Sequence, residues 1–133
     1  VFSHLSPKAH LAWRDEFART VKPGAIIFIT TQARWLLDNC RDFRQHPEKQ
    51  VSVWHEYLAK SFLDYDANAD AYDNGEFLYS PTGGGPALDP EFYGEAVVPR
   101  DYFEREWEAS FEVLEFIADR GQFEQAVCIM RRR

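Results

Sequence analysis

Cysteine is scarce in this chain of 133 residues: Cys40 and Cys128 are far apart and without metal-ligand spacing. That excludes a disulfide framework or a cysteine-built zinc module, and makes reduced thiols in a cytoplasmic protein the expectation, with no metal site. Positive charge is scarce as well, with 15 lysines and arginines against 22 acidic residues and a net charge of −7. Such a balance lacks the general electrostatic footprint of a nucleic-acid or anionic-membrane binder, so neither partner is expected. The one basic cluster, Arg131-Arg132-Arg133, reads as a solvated strand end. Long hydrophobic runs are missing too. No segment has the roughly 20 apolar residues that cross a bilayer, and no signal-peptide pattern is visible.

What is present suits a folded core, with 45% apolar and 16% aromatic residues in a length that holds one domain. Ser6 is placed to cap a helix whose first position, Pro7, loses nothing by lacking an N–H. Ala9, Trp13, Phe17 and Val21 then recur every four positions, with Leu11 and Ala18 widening the same face. His10 and Arg14 fall inside that apolar arc, and polar contacts to a neighbouring element are the expected explanation. Lys22-Pro23-Gly24 ends the helix, and residues 25–29 are apolar without alternation, the pattern of a strand covered on both faces in a parallel sheet.

The Ser3-His4-Leu5 segment, the run Arg19-Thr20-Val21-Lys22-Pro23-Gly24-Ala25 and the strand after it resemble one region of class I S-adenosylmethionine-dependent methyltransferases. That region runs from the fourth strand to the fifth, and its usual turn reads Arg-Val-Leu-Lys-Pro-Gly-Gly. The strand-like runs 111–118 and 123–130, joined by Asp119-Arg120-Gly121-Gln122, resemble the antiparallel hairpin that closes the same sheet. No glycine-rich turn after a first strand and no acidic residue after a second occur here. The resemblance therefore implies an α/β fold, the C-terminal part of a Rossmann-like methyltransferase sheet. It further implies a helical and glycine-rich insertion over residues 32–99, and S-adenosylmethionine as cofactor in the complete protein. The strand at 25–29 is then expected to find its parallel neighbour in residues before Val1. An isolated chain would expose a sheet edge, inviting a homo-oligomer or a strand-swapped dimer.

Within the insertion, Trp35, Leu36, Cys40 and Phe43, and then Val51, Trp54, Leu58 and Phe62, follow helical spacing and read as core. Residues 64–70 place oxygen ligands at alternate positions, yet lack the glycine and the glutamate of a calcium loop, so an acidic surface loop is expected. Residues 77–86 carry three glycines beside aromatics, a pattern suited to a lid, although Pro86 excludes a phosphate-binding loop.

Methyl transfer is an in-line displacement that needs alignment and, for a hydroxyl or amine acceptor, removal of a proton. His4 is the candidate base, since the ligand crevice of an open α/β sheet lies beyond the carboxyl ends of its strands. The resemblance places Phe2 and Ser3 at the cofactor edge. Thr31, with Thr30 beside it, would form the lip of the crevice, and Tyr79, Gly84 and Tyr93 would contact a small-molecule methyl acceptor. A non-catalytic assembly module is the competing expectation.

Overall fold

The chain opens with a 3-10 turn, Phe2–His4, and a helix, α1, Pro7–Thr20, in the computed structural model, which describes residues 1–81 and 88–133. Ser6 caps α1, its Oγ accepting from the Ala9 N–H at 3.3 Å. The inward face is rotated from the one the aromatic spacing suggests. Trp13 is 45% exposed, whereas His10 is fully buried and Phe17 and Ala18 pack on the core. Both polar residues on that face meet backbone carbonyls. His10 Nε2 lies 3.0 Å from Phe2 O, and Arg14 Nη1 donates to Glu106 O at 2.8 Å. A carbonyl partner offsets the desolvation that would otherwise exclude such groups from a core.

Gly24 makes the reversal after α1 with φ of +82°, a conformation that side chains resist. The strand that follows, β1 (Ile26–Thr31), joins β4 (Phe111–Ile117) and β5 (Ala126–Arg132) in a sheet ordered β1-β5-β4, antiparallel throughout. Ile29 sits opposite Cys128, and Val113 opposite Met130. A bulge between Val113 and Glu115 turns Leu114 outward, so that Val113 and Phe116 both reach the core. The terminal hairpin is therefore present, with its last strand starting three residues later than the apolar run suggests.

One expectation for β1 is corrected. Its burial alternates, with Ile29 and Thr31 inside while Ile26 is 44% and Phe28 67% exposed, because α1 and α5 (Arg100–Glu106) cover one face only. Within its sheet its one strand partner among the described residues is β5, antiparallel, and the parallel neighbour expected before Val1 is not among them.

Residues 32–99 carry α2 (Trp35–Gln45), a 3-10 turn at Pro47–Lys49, α3 (Val53–Lys60), α4 (Tyr65–Asp73) and an antiparallel pair, β2 (Leu78–Ser80) with β3 (Glu95–Val97). Leu36, Leu37, Cys40, Leu58, Phe62, Leu78 and Val97 form a second core there. Val51 lies outside it, 80% exposed, since α3 starts only after Ser52, whose Oγ accepts from the His55 N–H. Arg44 closes the far end of α3 by donating to the carbonyls of Ala59, Ser61 and Phe62. The acidic stretch at 64–70 is helix and not loop: Asp64 caps α4 by accepting from the Ala67 N–H at 3.1 Å. No helix among the described residues is long and apolar enough to cross a membrane.

Candidate functional site

A cavity of about 350 Å3 opens past the carboxyl end of β1, where Gln32 directly follows the strand. α2 supplies Trp35, Asn39 and Phe43 to its wall, α3 supplies Trp54 and His55, and the turn from β4 to β5 supplies Arg120, Glu124 and Gln125. His4 enters from the 3-10 turn at the start of the chain. That turn is tied to the segment before β3: Ser6 N–H donates to Phe92 O, and Gly94 N–H donates to His4 O at 2.9 Å.

The same segment orients the imidazole. His4 Nδ1 lies 3.0 Å from Gly94 O and 3.5 Å from Glu95 Oε2, and the ring stacks on Tyr93 with centroids 5.0 Å apart. A carbonyl can only accept, so Nδ1 carries the hydrogen and Nε2 the lone pair. Burial lowers the His4 pKa below its ordinary 6.5, and the bond to Gly94 draws it partly back. Near neutrality the ring is therefore a neutral base.

Glu95 stands behind it. It is 1% exposed, and burial pushes its pKa up to about 7, while the Trp54 indole N–H, donating to Oε1 at 2.9 Å, pulls the other way. Once Nε2 takes a proton, the imidazolium gains a carboxylate neighbour at Nδ1, the arrangement that stabilises a protonated base. The site can accept a proton from a ligand in the cavity and hold the resulting charge.

The other candidates from the sequence separate into groups. Tyr93 joins His4, and Ser3, fully buried, accepts from the Gln125 amide at 3.2 Å behind the cavity wall. Phe2 turns inward against His10, Phe17 and Trp107. Thr31 is fully buried and Thr30 exposed on the outer sheet face, so neither forms the lip of the cavity; Gln32 does. Tyr79 donates its hydroxyl to Pro90 O at 2.7 Å. Gly84 and the rest of the triple glycine lie outside the described residues. Glu95, Trp54, His55 and Asn39 were not singled out as site residues by sequence reasoning. Glu95 alone carried a signal, a carboxylate directly ahead of the apolar run Ala96-Val97-Val98.

No protein-family model, curated protein or solved structure matches the chain.

Proposed function

We propose that this chain forms the acceptor-binding and proton-accepting part of an S-adenosylmethionine-dependent methyltransferase acting on a small molecule. The observation that carries the reading is His4, its Nε2 without a partner among the described residues, beside a cavity at the carboxyl end of β1, the end at which the parallel sheet implied by the resemblance would hold its ligand. His4 removes the acceptor's proton, and Glu95 stabilises the imidazolium formed.

The resemblance of the Ser3-His4-Leu5 and Lys22-Pro23-Gly24 segments supports the assignment, as does the terminal hairpin, whose last strand lies against β1. The place of β1 at the end of its sheet and the exposed Ile26 and Phe28 also support it, because a Rossmann-like sheet would extend past that strand and cover both faces. The residues described do not by themselves fit the cofactor. Phe2 and Ser3, the two residues placed at the cofactor edge, are committed to the core, which leaves neither side chain to hold a nucleoside. S-adenosylmethionine supplies the electrophilic methyl group when bound, and its binding residues are expected upstream of this segment.

Calorimetric titration with S-adenosylhomocysteine tests the reading on a polypeptide that carries this segment with the sequence ahead of it. Saturable binding is expected, and no binding overturns the proposal. The position of β1 as an edge strand also favours the second reading, a methyltransferase-like module for self-assembly through strand pairing. Elution of the chain as a monodisperse monomer in size-exclusion chromatography counts against it.

A further inference from the structure

Two imidazoles line the cavity, and their backbone partners fix opposite tautomers. His4 Nδ1 donates to Gly94 O, leaving Nε2 as an acceptor. The Val51 N–H can only donate, so His55 Nδ1, 3.2 Å away, accepts it and the hydrogen sits on Nε2. Neither Nε2 has a protein partner among the described residues. The cavity thus offers one acceptor and one donor.

Rings surround them. Phe43 stacks on His55 with centroids 4.3 Å apart and planes 21° from parallel, Trp54 adjoins the same imidazole, and the Arg120 guanidinium lies 4.5 Å above the Trp35 ring. The two formal charges at the wall, Arg120 and Glu124, are exposed and opposite in sign, so neither an anion nor a cation is favoured within. A volume of about 350 Å3 suits one ring system.

We propose that the cavity seats an uncharged flat ring carrying a hydroxyl and a second oxygen. The hydroxyl donates to His4 Nε2, and the second oxygen accepts from His55 Nε2–H, with the ring against the aromatic walls. The proposal rests on the reading of His4 as the proton acceptor. In that step the ligand O–H bond breaks, the proton bonds to Nε2, and a phenolate faces an imidazolium. A sugar ring also carries hydroxyls and stacks on indoles, but a phenol ionises near a pKa of about 10, against about 15.7 for water, a guide to an alcohol. A weak base such as His4 is matched to the phenol.

Calorimetry on the full polypeptide with catechol, 1,2-dimethoxybenzene and methyl glucoside tests this without any methyl donor. Catechol is expected to bind saturably, and 1,2-dimethoxybenzene, which cannot donate to His4, about tenfold more weakly, the worth of one hydrogen bond. His55→Leu should weaken catechol about tenfold as well, while His55→Gln, which keeps an N–H, should stay within about threefold, both variants retaining the parent circular dichroism. Equal binding of the dimethoxy compound, an unaffected His55→Leu, or tighter binding of methyl glucoside overturns the proposal. A polypeptide that binds S-adenosylhomocysteine but not catechol overturns this site alone. One that binds catechol but not S-adenosylhomocysteine overturns the methyltransferase reading and leaves the site standing.

Discussion

The indole N–H of Trp54 donates to Glu95 Oε1 at 2.9 Å, joining α3 to a carboxylate buried on β3, 41 residues away. The other carboxylate oxygen has no hydrogen-bond partner among the described residues and lies 3.5 Å from His4 Nδ1. Glu95 is thus held in a place that resists its ionisation, with one donor to soften the cost.

Glu95 and His10 oppose each other in the pH dependence of stability. The folded-state pKa of Glu95 is raised from 4.5 to about 7, so the native state binds more protons than the unfolded one between those values and stability falls as pH rises. Buried His10 is lowered from 6.5 to about 4, so its contribution rises with pH between about 4 and 6.5. Each is worth about 3 kcal/mol at 1.36 kcal/mol per pKa unit, and the two nearly cancel from pH 4.5 to 6.5. Glu95→Gln should therefore gain stability over the parent as pH rises from 4.5 to 7. Urea midpoints across that range check it, and parallel curves for the two proteins would refute it.

Trp54→Phe removes the one donor to the buried carboxylate. Above pH 8, where Glu95 is ionised, the loss should cost about 1.5–3 kcal/mol, the range for hydrogen bonds to charged groups. At pH 5, with the carboxyl protonated, it should cost much less. Denaturant unfolding at the two pH values measures the difference.

If His4 is the base of the proposed methyl transfer, His4→Ala should lower turnover by about 100-fold or more, the usual worth of a positioned base. In the parent, activity should rise with pH along an acid limb, because only the neutral imidazole accepts a proton and only an ionised Glu95, its pKa pushed up to about 7, backs the imidazolium. The pH–rate profiles of the two proteins decide the matter: wild-type turnover at every pH in the variant would remove His4 from the chemistry.

Gly94→Ala should disturb the site through the backbone. A Cβ there would collide with the Ser80 carbonyl and come within 2.9 Å of the Tyr79 ring, contacts that only a shift of the segment can relieve. Since the Gly94 carbonyl orients His4, the variant should lose stability and activity together. A parent-like melting temperature would show that the segment yields without cost.

Local signals carried the sequence reading furthest. The Ser6 cap, the reversal at Gly24 and the turn at Asp119-Arg120-Gly121-Gln122 depend on a few neighbouring residues, and each stands where the sequence puts it. Asp64 carried the same kind of signal, but alternating oxygens drew attention to metal binding and away from its place as a cap. The inward face of α1 was harder to read, because carbonyls of Phe2 and Glu106, from distant parts of the chain, make His10 and Arg14 acceptable inside and let Trp13 face out. His4 was singled out by its position after a presumed strand, and it lines the cavity. Its partners Gly94, Glu95 and Trp54 were not, since they converge only through the pairing of β2 with β3 and the packing of α3.

The pairing of β2 with β3 has one further consequence. Gly94, which aims the base, Glu95, which backs it, and Ala96, which is fully buried, are consecutive, and Glu95 faces Ser80 across the pair. Side chains alternate faces along a strand, so sliding β3 by a single residue would turn the carboxylate away from His4 and bring alanine in its place. Three residues of strand pairing therefore act as the alignment gauge that sets Glu95 against His4.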